Sequence, residues 1–160
     1  RGFFCGGEGT NKSPSTHNRK ITEITFATRG SAITFGELSG ESKSGASMES
    51  HTRAVVVLGG NATSPEAFKD TIEYFTMATR GNTTDFGNAS SNTGAMNDNA
   101  VTNTTRGVYH IARTSDGGAE LNTIEYVTIA TTGNATDFGD LTAVSRDGCG
   151  LSDTHGGLHE

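Results

Sequence analysis

The amino-acid sequence predicts an all-β protein built from three copies of one unit of about 52 residues, each a four-stranded antiparallel sheet. Three observations carry this. The phrase Ile21-Thr-Glu-Ile-Thr-Phe-Ala-Thr-Arg-Gly30 recurs as Ile72-Glu-Tyr-Phe-Thr-Met-Ala-Thr-Arg-Gly81 and as Ile124-Glu-Tyr-Val-Thr-Ile-Ala-Thr-Thr-Gly133, so its closing glycines lie 51 and 52 residues apart. Each phrase is followed at a fixed distance by Phe35-Gly36, Phe86-Gly87 or Phe138-Gly139, and preceded by Arg1-Gly-Phe-Phe, Arg53-Ala-Val-Val or Arg106-Gly-Val-Tyr. No segment sustains a helical period, whereas β-branched and aromatic residues are dense in every repeated phrase. One repeat domain, 1–160, therefore divides into units 1–52, 53–105 and 106–160.

Within a unit the first strand is a small-residue segment, as in Gly45-Ala-Ser-Met48, Asn99-Ala-Val-Thr102 and Gly150-Leu-Ser152. The second is a short apolar run such as Ala54-Val-Val-Val-Leu58, ended by Gly59-Gly60 and typical of a buried central strand. The third carries apolar residues on both faces: Ile72 and Tyr74 against Phe75 and Met77, Ile124 and Tyr126 against Val127 and Ile129. A strand apolar on both faces must be covered on both, so successive sheets are expected to pack face to face, with Phe86 and Phe138 buried between them. The first unit has Glu23 where the others have Tyr74 and Tyr126, which makes one of its faces more polar. Arg-Gly-Ser, Arg-Gly-Asn and Thr-Gly-Asn then supply turn chemistry into a fourth strand around Phe35, Phe86 or Phe138. Segments 11–18 and 61–69 read as polar loops.

Composition bounds the function. With 32% hydrophobic residues, 22 glycines and no tryptophan in 160 residues, the core must be spread in thin layers. The formal net charge is −6 and the basic residues do not cluster, so the electrostatic footprint of a nucleic-acid binder is missing. No run approaches the roughly 18 apolar residues that span a bilayer as a helix. Cys5 and Cys149 lack any metal-ligand spacing. A single bridge between them depends on a Cα separation that the sequence does not supply.

Four strands per unit, a period near fifty, a double glycine ending one strand (Gly6-Gly7, Gly59-Gly60), a tyrosine in the next and an aromatic in the one after resemble the kelch-type β-propeller blade. Departures are Ala112-Arg113 in place of the third double glycine, and phenylalanines where kelch blades usually carry tryptophan. The phrase from Thr123 to Leu141 is similar to kelch-like repeats in virion proteins of tailed phages, especially those of marine bacteria. The resemblance implies a non-catalytic structural or binding module, located in a virion or outside the cell, with protein partners or its own copies completing a ring. A surface glycan is the alternative ligand, and a propeller enzyme of the sialidase or oxidase kind the third reading. No membrane, nucleic acid or cofactor is expected.

Chemical motifs are few. Asp85-Phe-Gly and Asp137-Phe-Gly spell the metal-binding triplet of protein kinases without the nucleotide loop or catalytic-loop motif that would accompany it. Asp85, Asn88, Asp137 and Asp140 offer calcium ligands in principle, but capping of a tight turn explains them better. His155, His159 and Glu160 have an i, i+4 spacing that Gly156 and Gly157 deprive of a helix. Arg1, Arg53 and Arg106 open equivalent strands; a structural bond inside each unit is favoured over an anion clamp. The sequons at Asn61, Asn82, Asn88, Asn103 and Asn134 are cheap in so Asn- and Thr-rich a chain and imply no glycosylation. No catalytic or metal residues are assigned, the binding surface is left open, and the repeat positions singled out are Phe35, Phe86, Phe138, Tyr74, Tyr126, Gly59 and Gly60. Three units are fewer than the roughly four to eight of a closed ring. Three units cannot close alone, so either a two-chain ring of six units, in which the terminal strand at 149–153 completes the partner's opening unit, or a longer parent chain is expected; Arg1 in place of an opening methionine suits the longer chain.

Overall fold

The computed structural model describes residues 1–12, 15–60, 68–93, 99–114 and 118–152. These residues form thirteen strands and no helix. The first unit contains β1 (Gly2–Cys5), β2 (Glu8–Lys12), β3 (Ser15–His17), β4 (Lys20–Ile24) and β5 (Ile33–Glu37). The second contains β6 (Ala46–Glu49), β7 (Arg53–Val57), β8 (Lys69–Thr76) and β9 (Thr84–Thr93), and the third β10 (Ala100–Thr102), β11 (Arg106–His110), β12 (Thr123–Thr128) and β13 (Thr136–Asp140), so each of these two sheets takes its first strand from the end of the preceding sequence unit and the boundaries at 52/53 and 105/106 shift to before β6 and β10. The second and third sheets have the order β6-β7-β8-β9 and β10-β11-β12-β13; the first is β1-β4-β5, and β2-β3 is a separate hairpin. All ladders are antiparallel.

Two expectations change here. The first unit has three strands in its sheet, because among the described residues no segment lies beside β1 opposite β4. Part of the polar segment 11–18 is paired backbone, in β2 and β3, rather than loop. Of 61–69, residues 61–67 lie outside the described residues and Lys69 already belongs to β8.

The repeat is exact at the level of register. Cys5 pairs with Ile21, Val57 with Ile72 and His110 with Ile124. In each sheet the ladder then slips at the repeated aromatic. Ile72 pairs with Gly87 but Glu73 with Asp85, which leaves Phe86 as the extra residue of a β-bulge; Phe35 and Phe138 occupy the same place. A bulge re-aims one side chain at the cost of one ladder position. Gly87 and Gly139, with φ of 152° and 135°, take the backbone that follows it. Asp85 and Asp137 accordingly lie inside β9 and β13, not in a capped turn.

Period-two alternation sends the central strands to two cores. On β7, Ala54 and Val56, with Leu58 beyond the strand and Phe75 from β8, pack with Ile21, Phe35 and Leu38 of the first unit. Val55, Val57, Ile72 and Phe86 face the other way and pack with Tyr109, Ile111, Val127 and Ile129 of the third. Each valine, leucine, isoleucine or phenylalanine among them contributes about 1.5–3 kcal/mol when fully buried. The fold is therefore held between its sheets, as the two-faced strands predict. Gly59 and Gly60 follow β7 as expected: a Cβ on Gly59 would lie 2.3 Å from the Lys43 carbonyl oxygen, and the Gly60 amide donates to Thr93.

Phe35 and Phe86 are buried at 3% exposure, but Phe138 is 53% exposed. The expected burial of Phe138 is thus corrected. Its bulge is the same; what differs is that among the described residues no further sheet covers this face of the third unit. Residues 149–152 form no strand, and 153–160, which hold His155, His159 and Glu160, lie outside the described residues.

Candidate functional site

The repeated polar residues act at the junctions between sheets. Arg1 donates through Nη2 to the Met77 carbonyl oxygen at 2.6 Å, and Arg53 through Nη1 to that of Ile129 at 2.9 Å. Met77 and Ile129 are equivalent positions one unit further on. The arginines make the expected contacts inside their own units, and two of them, Arg1 and Arg53, also staple one unit to the next. Arg53 also lies over the Tyr74 ring, 4.3 Å from its centroid, and Arg106 lies 4.8 Å from that of Tyr126. Tyr74 and Tyr126 meet the bulge aromatics of their own sheets edge-on, Phe86 and Phe138 respectively, at 6.0 Å.

Turn residues supply the second set of contacts. The Gly81 amide donates to Phe35 and the Thr83 amide to Glu37, while the Gly133 amide donates to Phe86 and that of Ala135 to Asn88. Each Gly-Asn turn is laid along the outer strand of the preceding sheet. The asparagine side chains complete the contact: Asn82 accepts from the Glu37 amide at 3.1 Å and Asn134 from the Asn88 amide at 3.0 Å. A Cβ on Gly36 would sit 1.8 Å from the Gly81 carbonyl oxygen, and one on Gly87 2.3 Å from that of Gly133. Only glycine permits this approach.

Two buried glutamates finish the junctions. Glu73 accepts from the Ser39 amide at 3.1 Å and from the Thr83 hydroxyl at 2.6 Å. Glu125 accepts from the Ser90 amide at 3.2 Å and from the Tyr109 hydroxyl at 2.5 Å. Burial and the Glu125 carboxylate push the Tyr109 hydroxyl well above the usual phenol range. In the first unit Thr22 stands in the glutamate's place, and Glu23 instead joins Arg80 at 3.1 Å and Arg1 at 3.3 Å. The hydrogen bond and charge of Arg80, with Arg1 behind it, hold the Glu23 carboxyl below its ordinary range against the opposing effect of burial.

Among the described residues the two end faces lack these partners. On the third sheet Phe138, Val108, Ile124 and Leu141 line a shallow, mainly apolar cavity of about 200 Å³. On the first sheet Phe4 and Phe26 are 60% and 75% exposed. Two clefts of about 370 and 330 Å³ run beside the edge of β1, both lined by Phe3, Cys5, Ser47 and Val56. Among the described residues no group of three His, Cys, Asp or Glu side chains gathers where a metal could be shared. The sequence singled out the phenylalanines, tyrosines and arginines; it missed Glu73 and Glu125, although their repetition beside the tyrosine was the available signal. No protein-family model and no curated protein matches the chain.

Proposed function

We propose that this chain is a non-catalytic structural and binding module, an arc of kelch-like propeller units in a virion or an extracellular surface particle. Its loops contact neighbouring subunits or a host surface. The observation that carries the reading is the repetition of one junction: arginine to carbonyl, Gly-Asn turn to outer strand, glutamate to amide, at both places where two units meet. Residues copied with the repeat in this way serve stacking, and a stackable unit is what a scaffold requires.

The junction is also wedge-like, which favours an arc about an axis. First strands approach closely, the Thr102 hydroxyl donating to the Glu49 carbonyl oxygen at 2.9 Å, and Gly107 of the neighbouring β11 sits against Met48 of β6. Along the outer strands a whole turn is inserted between one sheet and the next. The lectin alternative gains nothing from the asparagines, since Asn82, Asn103 and Asn134 accept backbone hydrogen bonds. Electron microscopy of the purified protein tests the reading. Rings of radially arranged units are expected; a straight filament or a compact sandwich of three sheets would overturn it.

A further inference from the structure

We propose that residues 149–152 of one copy pair with the edge of β1 opposite β4 in a second copy, and that this register sets Cys149 opposite Cys5 of the second copy, where the two form an inter-subunit disulfide. The proposal rests on the stacking reading above and names its partner and its lock.

The segment after Asp147 is launched in the way that β6 is. Ser44 and Asp147 are, among the described residues, the non-glycine residues with positive φ, 59° and 55°, and each stands nine residues after its bulge phenylalanine, Phe35 or Phe138. Each is followed by a glycine and then by a small-residue segment: Gly45 leads into β6, Gly148 into residues 149–152. A Cβ on Gly150 would lie 1.9 Å from the Ala100 carbonyl oxygen, so this segment rests against the first strand of the third sheet as β10 rests against β6. It thus follows the path of a further unit's first strand. Leu151, at the position of Met48, is 92% exposed, whereas Met48 is fully buried.

The acceptor is β1. It has β4 on one side and no strand on the other among the described residues, and the two clefts beside its edge lie where a first strand would run past β6. Such a strand would repeat the pairing of β6 with β7, in which Ala46 faces Val57 and Met48 faces Val55. Val57 and Cys5 share one position, since each pairs across to its unit's opening isoleucine, Ile72 or Ile21. Cys149 shares the position of Ala46. The same pair is Ala46–Val57 in the second unit and Asn99–His110 in the third, where the His110 amide donates to the Asn99 carbonyl oxygen at 3.1 Å. Between copies it becomes Cys149–Cys5. A hydrogen-bonded antiparallel pair has its Cα atoms about 5.5 Å apart, inside the range of roughly 4.4–6.8 Å that a disulfide spans.

The junction between copies has a need for this bond that the internal ones lack. Thr22 replaces the buried glutamate and Ser31 replaces the asparagine of the Gly-Asn turn, so two of its hydrogen-bond anchors are missing. The cysteines form no disulfide within the chain; Cys149 is exposed and Cys5 half-buried. With a low-mass disulfide as oxidant, the Cys149 thiolate attacks one of its sulfurs and releases one thiolate. The Cys5 thiolate then attacks the mixed disulfide at the Cys149 sulfur, forming the Sγ–Sγ bond and releasing the second. The two protein thiols are oxidised, the small disulfide is reduced, and the two protons end on the released thiols.

The test uses Cys5→Val and Cys149→Ala, which reproduce the Val57–Ala46 pair already present in the fold. Each variant alone, and the two co-refolded, are treated with oxidised glutathione and read by non-reducing electrophoresis and by native mass. Each alone should stay uncross-linked, while the mixture should give a species of two chains joined once. Cross-linking of Cys5→Val alone would mean a Cys149–Cys149 bond, and a wild-type bond confined to one chain of 16.6 kDa would mean internal pairing; either overturns the proposal. Native mass separates the two levels. Association without a cross-link in the mixture overturns the cysteine register and leaves the stacking reading standing; a monomer throughout overturns both.

Discussion

Phe86 and Phe138 have the same sequence neighbours and the same bulge, yet 3% and 53% exposure. Phe86→Ala should cost about 3–5 kcal/mol, and Phe138→Ala in the monomeric chain less than about 1 kcal/mol, measured by urea unfolding. Equal losses would contradict the packing described. The arginines make the same contrast. Arg53 donates to Ile129 and stacks on Tyr74, so Arg53→Ala should cost about 1.5–3 kcal/mol; Arg106 has the stack on Tyr126 without an equivalent carbonyl, and its replacement should cost about 1 kcal/mol or less. Glu23 gives a pH signature. Its folded-state carboxyl is held below the ordinary value of 4.5, so its contribution is complete above that pH and is lost as pH falls through the lower folded value. Glu23→Gln should flatten the acid limb of a stability profile below about pH 4.5; an unchanged limb would show that Arg80 and Arg1 do not stabilise the charge.

At the scale of elements, the junction depends on backbone approaching backbone. Gly36→Ala puts a methyl 1.8 Å from the Gly81 oxygen, so the turn must lift off β5 and lose its amide bonds to Phe35 and Glu37. A loss of about 1–3 kcal/mol is expected. Gly81, on the other side of the same contact, has open space around its would-be Cβ, and Gly81→Ala should stay within about 0.5 kcal/mol. Differential scanning fluorimetry of the two variants checks the asymmetry, and a neutral Gly36→Ala would refute it. Strand type and order in the second and third sheets are legible in the sequence, because period-two apolar residues and Gly-Asn turns encode them locally. The β2-β3 hairpin was not, since the polar run that forms it carries no alternation to separate strand from loop.

For the whole molecule, the exposed Phe4 and Phe26 at one end and Phe138 at the other are the surfaces that each internal junction buries. Burial of such surfaces between copies stabilises the folded state by mass action, so the melting temperature should rise with protein concentration. Calorimetry over a hundredfold concentration range measures this, and a constant midpoint would argue against association through these faces.

The sequence by itself determined the three-unit repeat, the all-β class, the two-faced central strands and the aromatic, glycine and arginine positions, all of which follow from local pattern and spacing. Only the tertiary structure decided what those positions touch. That Arg53 reaches into the next unit, that Glu73 and Glu125 are junction acceptors, and that Asp85 sits in a bulged strand instead of a capped turn depend on which sheet lies across from which. So does the exposure of Phe138. A repeat writes the same residue at each copy, but burial is set by the neighbour that the copy has, and the third sheet's outer face has none within the described residues.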